Sequence, residues 1–368
     1  VPADIHELLK CPVSGEELSP LSVDELSGLN RRIRRGNLSQ FDGTTVRHEM
    51  EGGYVTQSRR FAYSLREGII VLLSSHAIVL DDQYAADTSI VPSSETQQVQ
   101  SFYDEVGWQK TDEGKYEDTS RFVDNRPVVL NYLGGCNKRI VKHIAGRGRY
   151  IVDVACGPIH YDAYRAMSDG YDYRICIDVS LQALREAKKQ MGDRGIYVMA
   201  DVTNMPLRDQ SVDDVISLHT LYHVPADKQI TALKEIHRIL KPGATGVVIY
   251  RWGKHSQLMR AAMSPIRVLN RLRLLSKHIQ RAKNTGERQL YACTHSYIFF
   301  KRRQCGFAMD IVVWSSLSSA FTKSYIPDGR LGIFLLKIVA KLEDYMPHAL
   351  GRFGEYPLFI IKRGTPAD

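Results

Sequence analysis

The chain has 368 residues, a hydrophobic fraction of 43% and a formal charge of +8. That length allows two domains, or one large domain with additions, around a substantial core. No run approaches the ~20 apolar residues of a membrane helix, and the opening VPADIHELLK lacks the basic-then-apolar layout of a secretory signal.

In chain order, residues 1–80 read as a small α+β unit. DIHELLKCPVSGEEL opens it with a short helical pattern and a Cys-Pro turn; a polar stretch with an Arg cluster, NRRIRRGN, follows. GGYVTQSRRFAYSL and GIIVLL then alternate as strands. Residues 81–100 are rich in Ser, Thr and Gln and read as a linker. From 101 to 148 the pattern is helical.

A parallel sheet is expected next. Apolar runs predict strands at 150–154, 173–178, 196–200, 213–218 and 245–250, with helices at 180–191, capped by Ser180, and 227–240. Beyond Tyr250 come a basic stretch, the strand MDIVVWSSL, the amphipathic run LGIFLLKIVAKLEDYMP and a closing strand YPLFIIKR. These predict a domain over 101–368 with substrate-covering insertions at 251–300 and 318–354.

Charge is unevenly spread. Residues 254–303 hold twelve Lys/Arg against one acid, Glu287, a net of +11. Arg267, Arg271, Arg273, Lys277 and Arg281 interleave with leucines and other apolar residues, as in a basic amphipathic helix. Such a helix covers a substrate, meets a phosphate-bearing ligand or lies on an anionic membrane. The six cysteines (Cys11, Cys136, Cys156, Cys176, Cys293, Cys305) form no C-x-x-C pair, which fits a reducing, cytoplasmic setting.

The chemistry concentrates in loops at the carboxyl ends of the predicted parallel strands, where open α/β sheets bind ligands. IVDVACG (151–157) joins a strand to a tight turn, and RICID ends on Asp178. A carboxylate there can take two ribose hydroxyls. ADV (200–202) and SLHTLYHVP (217–225) follow the next two strands.

The ordered set D-V-A-C-G, C-I-D, A-D-V, D-D-V-I-S-L-H and R-I-L-K-P-G resembles the class I S-adenosylmethionine-dependent methyltransferases over roughly residues 100–315 plus the last strand. The resemblance implies a Rossmann-like seven-stranded α/β sheet with helices on both faces and an antiparallel last strand. It implies S-adenosyl-L-methionine as cofactor, with Asp153, Ala155 and Gly157 at the methionine end. Asp178, beside Val179, would bind ribose, and Asp201 the adenine amine, with Val202 beside the ring. Leu218 would lie near the sulfonium, and Tyr103 in a lid that also holds Phe102 and Trp108. The family's turn is D-x-G-x-G-x-G; here Ala155 and Ile159 replace its first and third glycines, and Pro158 removes a donor.

The first unit resembles the small zinc-ribbon-like domain that activates certain tRNA and release-factor methyltransferases. Its metal pattern is incomplete: Cys11 remains, but Ser14 stands at the second ligand position and Thr56–Arg59 has no cysteine. No zinc is expected.

Methyl transfer from a sulfonium is an in-line displacement, so alignment matters most, and a base is needed only for a nucleophile that loses a proton. His219, Tyr222 and His223 are the candidate catalytic groups, with His219 a possible base. The leading expectation is transfer to an O or N atom of a small-molecule acceptor. The alternatives are an RNA methyltransferase using residues 254–303 and a non-catalytic scaffold of the same fold. Peripheral membrane contact and oligomeric state stay open.

Overall fold

A computed structural model describes residues 2, 4–81, 93–112, 116–266, 268, 290–303 and 305–365. The basic stretch at 267–289 therefore lies, Val268 apart, outside the described residues.

Seven strands form the expected sheet: β6 (Gly148–Val154), β7 (Tyr171–Asp178), β8 (Gly195–Met199), β9 (Val212–Leu218), β10 (Leu240–Ile249), β11 (Met309–Ser315) and β12 (Tyr356–Lys362). Their spatial order is β8-β7-β6-β9-β10-β12-β11. The first five are mutually parallel, while β12 runs antiparallel to both β10 and β11. Near-continuous Val/Ile runs such as Tyr150–Val154 are buried on both faces, as a sheet covered by helices on both sides requires. Helices Leu181–Met191 and Gln229–Ile239 are the expected crossovers. Ser180 caps the first: its hydroxyl accepts the Ala183 N–H.

The sheet does not stop at β8. The first unit supplies β1 (Leu18–Pro20), β2 (Gly52–Thr56), β3 (Phe61–Arg66) and β4 (Ile69–Val71), and β4 pairs parallel to β8, with Ile70 opposite Val198. Twelve strands thus form one sheet among the described residues, a short β5 (Ile78–Val79) pairing with β3 off the main path. One apolar core runs through both units, joining Ile5, Phe61 and Ile70 to Val152, Ile196 and Val215.

Two local features differ from the expected pattern. The Arg cluster is the last turn of a helix, Val23–Arg34, opened by a reciprocal Ser22–Glu25 capping box. Its arginines sit where the helix dipole favours cations. The stretch read as a linker gives its end to helix Ser94–Phe102. In the first unit Cys11 is buried, its sulfur accepting the Ser14 N–H and meeting the Tyr63 hydroxyl at 3.0 Å. Among the described residues no group of three His, Cys, Asp or Glu side chains is arranged to hold a metal, and no helix is long and apolar enough to cross a membrane.

Candidate active site

The turn after β6 explains the glycine pattern and this chain's departure from it. Ala155, Gly157 and Ile159 have φ of 52°, 56° and 50°, so three alternate residues adopt the left-handed conformation. Glycine takes that conformation freely; a β-branched residue does so only when its surroundings hold it there. Ile159 is 2% exposed and packs with Leu184 and Tyr197, which supplies that hold.

Carboxylates gather at this edge. Asp153 is ion-paired: Arg174 on the neighbouring strand reaches its Oδ2 through Nη2 at 2.5 Å and Nε at 3.2 Å, and both side chains are buried. Asp153 thus ties β6 to β7 beneath the turn. Asp178 accepts the Gly157 N–H at 3.0 Å and the Ser180 N–H at 2.9 Å, one on each oxygen. Roughly half of its lone-pair sites remain for a ligand. Burial outweighs those bonds and raises its pKa to about 6. Asp201 accepts the Thr203 N–H and hydroxyl in a local turn.

A π-helical turn, Tyr103–Gly107, covers this end. Tyr103 stacks on Trp108 at 4.8 Å, and Trp108 lies over the turn, since a β-carbon on Gly157 would come within 3.1 Å of its indole. The cover is pinned by Asp104, which accepts the Ser180 hydroxyl at 2.5 Å. Trp108 Nε1 and the Tyr161 hydroxyl are buried and lack a hydrogen-bond partner among the described residues.

The opposite wall is aromatic. His219 directly follows β9 with φ of 62°, its ring edge-on to Trp314 at 4.7 Å and Tyr356 at 5.3 Å. Burial, with the nearby Arg251 charge, lowers its pKa to about 3. The expectation of a base at His219 meets an environment that keeps the imidazole neutral and weakly basic. His223 Nδ1 donates to the Tyr291 carbonyl at 2.7 Å and pins that segment over the loop; burial first of all brings its pKa down to about 4. Tyr222 packs between His223 and Tyr250.

Tyr103, Trp108, Asp153, Ala155, Gly157, Asp178, Val179, Asp201, Val202, Leu218, His219, Tyr222 and His223 line one cavity of about 1250 Å³, whereas Phe102, the remaining lid candidate, is buried and is not part of its lining. Sequence reasoning missed Asp118, Arg251, Trp314, Glu355 and Tyr356, which line it too. No motif marks them; strand order brings them in.

Residues 152–248 match the family model described as "Methyltransferase domain". Sheet order, a cavity at the carboxyl edge and this match define the class: the segment is a methyltransferase domain of the S-adenosylmethionine-dependent type. Among particular relatives, a cattle (Bos taurus) protein named probable tRNA methyltransferase 9B is 31% identical over 40% of this chain and 31% of its own length. A malonyl-[acyl-carrier protein] O-methyltransferase of Hamiltonella defensa is 23% identical over 57% of this chain and 76% of its own. A solved DhpI–SAH complex superposes with a TM-score of 0.46 at 13% identity, covering 75% of this chain and all of that one. The chain spans under a third of the mammalian relatives it matches.

Proposed function

We propose that the protein transfers the methyl group of S-adenosylmethionine to an O or N atom of a small-molecule acceptor. The observation that carries this reading is the set of carboxylates and left-handed turn residues at the ends of β6, β7 and β8, inside a segment that matches a methyltransferase domain. The donor set suits a ligand with a ribose, an adenine and two cationic groups. Asp178 would accept the ribose hydroxyls and Asp201 the adenine amine, with Val179 and Val202 against the ring. Trp108 Nε1–H and the Tyr161 hydroxyl are unsatisfied donors suited to the methionine carboxylate, a role that Pro158 denies the backbone. When bound, the cofactor supplies a methyl group already activated on sulfur.

The protein's part is alignment and exclusion of water. Tyr103 and Trp108 close one side, and the His219–Trp314–Tyr356 wall closes the other. Neutral His219 serves as a hydrogen-bonding wall. An acceptor that holds no proton to lose at neutral pH therefore fits best.

Calorimetry with S-adenosylmethionine tests the reading. Micromolar binding, lost in Asp178→Ala, is expected; no binding at tens of micromolar leaves a scaffold. The similarity to a named tRNA methyltransferase supports a second reading, RNA as acceptor. RNA affinity would fall steeply with salt, and small-molecule turnover would not.

A further inference from the structure

The cavity is sorted by charge. Carboxylates without a paired cation among the described residues stand at the ends of β7 and β8, Asp178 and Asp201, while Asp153 at the end of β6 is paired with Arg174. Past β10 the side chains lining it include the cations Arg251, Lys254 and Lys323. Both potentials act across one space, so each half selects a ligand of opposite sign. The acidic half suits a sulfonium and an ammonium. The basic half needs another explanation.

Arg251 is its centre. β10 and β12 continue their antiparallel pairing past the sheet, with Trp252 N–H on the Glu355 carbonyl at 2.9 Å, and this places Arg251 against Glu355. Glu355 is buried and accepts the Nε–H at 2.8 Å. The four Nη hydrogens have no acceptor among the described residues, and the side chain is 43% accessible. The charge is also felt across the cavity, at His219, His223, Tyr222 and Tyr356. One carboxylate thus holds the guanidinium by its inner edge and leaves its outer fork toward the ligand space. Such a fork pairs bidentately with a planar oxyanion. Trp314, Leu317, Met259 and Met263 line the same cavity and give it an apolar surface.

Resting on the methyltransferase reading, we propose that the acceptor is an amphipathic acid whose carboxylate docks on Arg251 while its hydrocarbon body lies along Met259, Met263 and Leu317. Glu355 orients the fork, and Lys254 and Lys323 attract the acid to the mouth.

The test is calorimetry on the full chain saturated with S-adenosylhomocysteine. The probes are straight-chain carboxylates from butanoate to dodecanoate, each paired with its primary amide. The expected result is an acid that binds at least tenfold more tightly than its amide. That preference disappears in Arg251→Gln and is partly kept in Arg251→Lys, which still offers Glu355 a cation. The expected loss is roughly 10–100-fold, the range of a charge-assisted pair. Equal affinity for acids and amides, or a preference that survives in Arg251→Gln, overturns the proposal. Unchanged S-adenosylhomocysteine affinity in both variants shows that they are folded. Failure of the wild type to bind S-adenosylhomocysteine overturns the methyltransferase reading itself.

Discussion

Two halves of one cavity are built in opposite ways. At the ends of β6–β8 the groups are acidic, close in sequence and locked by backbone: Asp178 holds Gly157 and Ser180, and Asp153 holds Arg174. At the ends of β9–β12 they are aromatic and cationic, and they come from segments far apart: His219, Arg251, Trp314 and Tyr356. The first half is a fixed mould for a constant ligand. The second is a composite wall whose identity changes when any contributing segment changes. Under the proposed function, the first half would be a cofactor end fixed by its backbone and the second an acceptor end set by distant segments.

This contrast can be broken at several points. Arg174→Met strips the buried Asp153 of its counter-charge and should cost about 3–5 kcal/mol in urea unfolding; a loss below about 1 kcal/mol would mean that the lock is not structural. Asp178→Ala should weaken S-adenosylmethionine about 100-fold by calorimetry, the loss of two charged hydrogen bonds.

The same carboxyl sets a pH signature. Its pKa rises to about 6 on folding, from an ordinary value near 4. Ionising it thus lowers stability as pH climbs through that window. Cofactor binding needs the carboxylate, so affinity should rise across the same window; a flat affinity profile between about pH 5 and 7 would argue against the ribose contact.

On the other wall, His219 should stay neutral from about pH 5 to 8, read from imidazole nitrogen shifts and assigned with His219→Gln. Titration near neutrality would restore it as a base. The smallest expected effect is at the turn. Ala155→Gly relieves a left-handed alanine and should stabilise the fold by about 0.5–1 kcal/mol.

The same division decides what can be read from the residues alone. The cofactor half lies in short contiguous stretches, where a strand, its turn and the next strand's last carboxylate follow one another. Their order identifies the sheet without coordinates. Even there, Arg174 as the partner of Asp153 depends on strand register, with Asp153 opposite Cys176. The half proposed for the acceptor is illegible because Arg251 and Glu355 meet only after β12 has inserted between β10 and β11. His219 was visible as a residue, but its chemistry comes from Trp314 and Tyr356, which no local pattern links to it. The first unit's strands were legible; their addition to the edge of β8 was not, because apolar alternation says nothing about which strand is adjacent.

That addition has a consequence in time. β4 must wait for a partner about 130 residues downstream, roughly 6 to 26 seconds of synthesis at ribosomal rates. Until then the early hairpins expose a strand edge and half of a shared core, and the growing chain carries a ready site for wrong pairing. The protein's yield should therefore depend on how fast residues 80–195 are made and on what shields Ile69–Val71 meanwhile. A slow stretch of synthesis there would reduce recovery without altering one residue of the finished molecule.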